Sequence, residues 1–160
     1  QAEAALDSLR SVPGFASGLL HAVTNTGISS AGRLMATLTL QKVAMNRWDI
    51  EEGSQGALAA SDKATVRQNV LQVYFSLPKS TMLSNLAIAV AHIVSWDFPD
   101  SWAEFLPQLM AQIRNTSDRL LMWKGLLVVR ETLKLLELAH HPKRRRPLNV
   151  LVENVLPILL

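Results

Sequence analysis

Few residues in this chain have the types and spacing that chemistry needs. Asp97 and Asp100 come nearest to a carboxylate pair suited to acid–base work, but both sit where a helix begins, and N-capping accounts for them. His140 and His141 are adjacent, which on a helix points them to different sides, so they form no i, i+4 metal pair. His92 lies inside an apolar run, where a hydrogen-bonded core histidine is the simpler reading. The chain contains no cysteine, which excludes disulfides, thiolate metal sites and a cysteine nucleophile. It also shows no serine elbow, no glycine-rich phosphate loop and no metal-ligand spacing. The pattern therefore predicts no catalytic residue, no metal site and no cofactor.

Binding surfaces remain. Lys143, Arg144, Arg145 and Arg146 form an unbroken basic run, read as a nuclear localisation signal, a nucleic-acid patch, a contact for an acidic partner, or a solvated loop. No aromatic residues are interleaved for base stacking, so nucleic acid ranks low. Gln68, Asn69 and Gln72, and again Glu104, Gln108 and Gln112, recur at helical spacing opposite apolar stripes. Taken singly, each is a solvated surface residue. Together they offer adaptable hydrogen bonding over a large area, which suits a protein partner better than a small molecule.

Bulk properties agree with a binding protein. The chain has 160 residues, of which 18% are charged, and 16 basic against 13 acidic residues leave a net charge of +3, too small to imply nucleic acid or a membrane surface. Residues 1–9 lack the basic start of a signal peptide. The most apolar stretches, 86–94 and 120–129, are interrupted by His92 and Lys124 and fall well short of the ~20 residues a membrane helix needs.

The elements that must position these residues read as helix after helix, with proline and glycine at the boundaries. A first helix is expected over Ala2–Ser11, ended by Pro13-Gly14, and a second over Phe15–Val23, stopped by Asn25-Thr26-Gly27. The third starts at Ser29 or Ser30, presents Ala31, Leu34, Met35, Leu38 and Met45 on one face, and ends near Trp48. Residues 51–61 form a loop, after which Asp62 caps a fourth helix with the stripe Val66, Val70, Val73, Tyr74 and Leu77. Ser80 caps a fifth over 82–95 that is apolar nearly all round and should be interior. A tight corner at Asp97-Phe98-Pro99-Asp100 leads to a sixth helix reaching Arg114, bent by Pro107, with Trp102, Phe105, Leu106, Leu109, Met110 and Ile113 inward. Trp102 should fill the gap between paired helices, where truncation would cost about 3–5 kcal/mol. Thr116-Ser117-Asp118 opens a seventh helix to about His140, with Arg130, Lys134 and Glu137 on one face; residues 141–147 make a basic loop, and an eighth helix begins near Leu148.

Corresponding helix starts fall roughly 36 to 50 residues apart, the period of HEAT or armadillo arrays. The expected fold is all-α: a right-handed superhelix, or solenoid, of antiparallel helix pairs, each burying one face against the next. Neither end reads as a polar capping repeat, so residues 1–160 are expected to be about four helix pairs from a longer solenoid.

Four segments carry a resemblance to a known family. Pro13-Gly14-Phe15 with Leu19-Leu20 resembles the first repeat of importin-β (karyopherin-β) proteins. Arg33-Leu34-x-Ala36, then Lys42 and Trp48, resembles the second, although residues 51–61 are longer than that corner usually is and Gln41 replaces an apolar residue. Asp62-Lys63 with Val66-Arg67 looks like the start of the next helix. The most diagnostic segment runs from Leu86-Ala87-Ile88-Ala89 through Asp97-Phe98-Pro99-x-x-Trp102 to Phe105-Leu106-Pro107-x-Leu109, and residues 125–135 continue the likeness. Within the superfamily the N-terminal domain of the importin eleven subtype is the nearest in pattern.

The resemblance implies a nuclear transport receptor with HEAT repeats and no enzymatic role. It implies that N-terminal repeats bind the GTP form of the small GTPase Ran; Gln68, Asn69, Gln72, Glu104, Gln108 and Gln112, on the helices that line the concave side of a solenoid, are the candidate contacts, and Lys143, Arg144, Arg145 and Arg146 a candidate basic contact loop. It also implies cargo proteins and Phe-Gly nucleoporins as partners, and shuttling between cytoplasm and nucleus through the pore. A generic HEAT scaffold subunit of a multiprotein complex is the competing reading.

Overall fold

The computed structural model describes residues 12–114, 117–137 and 145–159, and among these all regular structure is helical. Seven helices follow in order: α1 Phe15–Thr24, α2 Ser30–Asn46, α3 Ala60–Ser76, α4 Thr81–Asp97, α5 Phe105–Arg114, α6 Arg119–Glu137 and α7 Arg145–Leu159. The helix expected over 2–11 lies outside the described residues, as does most of the expected loop at 141–147. The chain forms two compact units, Gln1–Ala89 and Val90–Leu160, and α4 runs through the boundary between them.

In the first unit, α1 packs against both α2 and α3. It is entered by a turn in which the Phe15 N–H donates to the Val12 carbonyl at 3.1 Å, with Pro13 and Gly14 at the centre. Gly14 has φ +87°, the left-handed value that the third position of a type II turn requires and that favours glycine. Ala16, Leu20 and Val23 then recur at helical spacing on the buried side. Asn25 ends the helix, its side-chain oxygen accepting the Gly27 N–H at 2.8 Å. The Ser29 hydroxyl accepts the Gly32 N–H at 3.1 Å and so caps α2.

The buried side of α2 differs from the expected one. Ala36, Thr37, Leu40, Val43 and Ala44 face inward, whereas Met35 and Met45 are 61% and 43% exposed and Ala31 is exposed as well. Apolar residues occur all round this helix, so spacing alone does not select a side. Packing against α1 does, and it takes the side where Ala36 and Ala44 are small. Thr37 is accommodated there by donating its hydroxyl to the Arg33 carbonyl at 2.9 Å. α2 stops at Asn46, and Trp48 lies in the following turn, 1% exposed.

α3 begins at Ala60, two residues before the expected cap, so Asp62 belongs to its first turn and does not cap it. Val66, Val70, Tyr74 and Leu77 are buried as their spacing predicts; Leu71 joins them and Val73 is half-buried. α4 is capped by Ser80, whose hydroxyl accepts the Leu83 N–H at 3.4 Å. It is buried on most of its circumference, the signature of an interior helix, though His92 is half-buried and not a core residue.

In the second unit, α6 packs against both α5 and α7. The corner that precedes α5 is closed by the Asp97 carbonyl, which accepts the N–H groups of Ser101 at 2.7 Å and Trp102 at 3.0 Å. The helix starts at Phe105, so Trp102 sits in the turn before it and Pro107 falls in its first turn. There the missing proline N–H costs nothing and bends nothing. Trp102 is buried, with its ring 5.1 Å from that of Phe105, and Phe98 meets Phe105 edge-on at 5.7 Å. Such pairs add about 0.5–1.5 kcal/mol each beyond the burial itself. Asp118 caps α6, its carboxyl oxygen accepting the Leu120 N–H at 2.7 Å. Gly125 lets α5 and α6 approach: a Cβ there would lie 2.5 Å from Cγ1 of Ile113. α7 begins at Arg145, three residues before the expected Leu148, with Pro147 in its first turn.

Candidate partner-binding faces and the joints behind them

α3 presents Gln68, Asn69 and Gln72 on its exposed side, opposite Val66, Val70 and Tyr74. Their side chains are neutral amides with both donors and acceptors. They carry no titratable proton and so serve recognition, not proton transfer. The Asn69 amide donates to the Thr65 carbonyl one turn back, at 2.8 Å. In the second unit Glu104, which immediately precedes α5, lines up with Gln108 and Gln112 at steps of one turn, all three exposed. The two triplets belong to different units, and each is brought together by its own helix. Of the basic run, Lys143 and Arg144 lie outside the described residues, while Arg145 and Arg146 open α7 and so are not in a loop.

The residues behind the first face do more than the spacing revealed. Asp62 is 3% exposed, and its two carboxyl oxygens accept the backbone N–H groups of Ala16 and Ser17, each at 2.8 Å. Those donors belong to the first turn of α1, whose N-cap position is the side-chain-less Gly14. Asp62 therefore caps a helix 46 residues upstream of itself. Its neighbour Lys63 turns the other way. The Lys63 ammonium donates to the carbonyls of Trp48 at 2.7 Å and Ile50 at 3.4 Å, just past the end of α2, and lies 6.0 Å from the Trp48 ring centroid. A cation is favourable there because the ammonium supplies donors to carbonyl oxygens of the connection that follows α2. Arg47 adds a bond to the Gly56 carbonyl at 3.4 Å, closing the connection between α2 and α3. The Asp62-Lys63 pair thus joins three helices of the first unit. Sequence reading singled the pair out but saw only a helix start, because its partners are not local.

Electrostatics in the second unit centre on α6. Burial lowers the pKa of Lys124, 3% exposed, below the usual 10.5, while the charge of Asp118 pulls it the other way. For Glu131 burial pushes the pKa up, but the hydrogen bond and charge of Arg130 and the charge of Lys134 outweigh it, and the net shift is downward. Arg130, Lys134 and Glu137 share the exposed side, as their spacing predicts. Among the described residues no group of three or more His, Cys, Asp or Glu could hold a metal ion, and no helix is long and apolar enough to cross a membrane.

Comparison with known proteins identifies what this geometry is similar to. Residues 2–76 match the importin-β N-terminal domain. The importin alpha re-exporter of Saccharomyces cerevisiae is 27% identical over 124 residues, 78% of this chain and 12% of its own length. Importin-11 of Mus musculus is 27% identical over 117 residues, 73% of this chain and 12% of its own length. The chain thus spans about an eighth of the length of these relatives. The solved structure of the exportin Cse1 in its cargo-free, cytoplasmic state superimposes with a TM-score of 0.75 over 94% of this chain and 16% of the exportin, at 23% identity, and so shares its HEAT-repeat fold. Residues 2–76 are therefore similar to the importin-β N-terminal domain, and the chain as a whole is similar to importins and exportins.

Proposed function

We propose that residues 1–160 are the N-terminal HEAT-repeat segment, about four helix pairs, of a nuclear transport receptor that binds GTP-bound Ran. The observation that carries this reading is the match of residues 2–76 to the importin-β N-terminal domain, combined with the exposed amides of Gln68, Asn69 and Gln72 on α3 within the same segment. Glu104, Gln108 and Gln112 supply the corresponding face of α5, and the run 143–146 a cationic contact. The receptor's other partners are cargo proteins and the Phe-Gly repeats of pore proteins, so it shuttles between cytoplasm and nucleus. Names among the relatives cover both import and export, and the proposal is of a transport receptor as a class.

The test is capture of the full-length protein on immobilised Ran loaded with GTP or GDP. Selective capture by the GTP form is expected. Replacing Gln68, Asn69 and Gln72 together by Ala should weaken that capture several-fold while changing stability little, since exposed positions of this kind shift it by no more than about 0.5 kcal/mol each. Equal capture by both forms, or none, would replace the receptor reading with the scaffold one.

A further inference from the structure

α1 begins without a capping side chain of its own. Its N-cap is Gly14, and the N–H groups of Ala16 and Ser17 are received by the two carboxyl oxygens of Asp62. Burying a polar group of this kind is costly unless it is fully hydrogen-bonded, and here the partner is the positive end of a helix. The other buried residues of α1 and α3 are apolar or aromatic: Ala16, Leu20 and Val23 on one helix, Val66, Val70, Leu71 and Tyr74 on the other. Apolar burial is non-directional, so it rewards close approach without choosing between neighbouring offsets of one helix along the other. Two hydrogen bonds of 2.8 Å to successive backbone groups admit one offset. The helix that carries Asp62 also carries, one to three turns further on, Gln68, Asn69 and Gln72.

We propose that Asp62 is a positioning residue for the Ran contact. By bonding Ala16 and Ser17 it sets the register of α3 against α1, and so presents Gln68, Asn69 and Gln72 in a preformed arrangement. This rests on the Ran reading above. Asp62 itself is buried and touches no partner. Its effect is on the fraction of molecules whose α3 face is already in place, and apparent affinity scales with that fraction.

The experiment compares the full-length protein with its Asp62→Ala and Asp62→Asn variants and with Leu40→Ala, a core truncation in α2, a helix that carries none of the proposed contacts. Affinity for GTP-loaded Ran, thermal stability and amide hydrogen exchange at Ala16 and Ser17 are measured for each. Asp62→Ala should speed exchange at both amides and raise the Kd for Ran on the order of tenfold. Asp62→Asn keeps one acceptor oxygen, should fall between Ala and wild type, and supplies the comparison if the Ala variant does not fold. Leu40→Ala should lower the melting temperature and leave the Kd unchanged. Faster exchange at Ala16 and Ser17 with wild-type affinity would overturn the proposal and leave Asp62 as a structural cap. An equal loss of affinity in Leu40→Ala at matched stability would overturn it too, since destabilisation in general would then suffice. A wild-type protein that captures no GTP-loaded Ran would bring down the transport reading first and this inference with it, an outcome distinct from the other two.

Discussion

Asp62 and Lys63 are neighbours in the chain and serve two different places, the first-turn N–H groups of α1 and the carbonyls of the connection that follows α2. The carboxylate only accepts hydrogen bonds and the ammonium only donates them, which is why the two residue types are not interchangeable. Lys124 is the contrasting case, a buried cation for which desolvation outweighs the favourable charge of Asp118. Its pKa is lowered from 10.5 by desolvation, so the unfolded chain holds this proton more tightly than the folded one. At pH below the folded-state value the penalty is fully present. As pH rises from there toward 10.5 the penalty is relieved, and stability contributed by this residue increases. Chemical denaturation across the alkaline range should show that rise in the wild type and lose it in Lys124→Met. A Lys124→Met variant with the same pH profile would show that the lysine is not the source.

At the scale of elements, close approach sets what each helix tolerates. Gly125 faces Ile113, and an added Cβ would sit 2.5 and 2.7 Å from its Cγ1 and Cδ1. Ile113 is β-branched and buried, with little freedom to give way. Gly125→Ala should therefore destabilise the second unit by about 1–3 kcal/mol despite the better helix propensity of alanine, read as a lower melting temperature. An unchanged or raised melting temperature would mean that α5 and α6 can separate at no cost. Element boundaries follow the same local physics. Pro107 and Pro147 both fall in first turns, where a missing N–H is harmless, and each marks a helix start more closely than the apolar periodicity around it did.

For the molecule as a whole, the charge is small but unevenly placed. Four of its sixteen cations stand together at 143–146, and α7 carries no acidic residue in its first turn to offset them. Within the proposed receptor, replacing all four with Ala should weaken binding of an acidic protein partner and flatten the dependence of affinity on salt, because the lost interactions are the screened ones. Titrating Ran-GTP capture against ionic strength measures this, and an unaltered slope would remove the run from the contact.

The amino-acid sequence by itself determined the succession of the described helices, the turn at Pro13-Gly14, the main stops at Asn25 and the Asp97-to-Asp100 corner, and the exposed triplets on α3 and α5. Those features arise from residues within one or two turns of each other, so local patterning specifies them. It was silent wherever the deciding neighbour lay far along the chain. The apolar residues of α2 surround the helix, and only packing against α1 decided that Ala36, Leu40 and Ala44 turn inward while Met35 and Met45 turn out. Asp62 has the sequence context of a cap, and only the tertiary structure decided which helix it caps, because hydrogen bonds to Ala16 and Ser17 exist once 46 residues of intervening chain have folded α3 back onto α1.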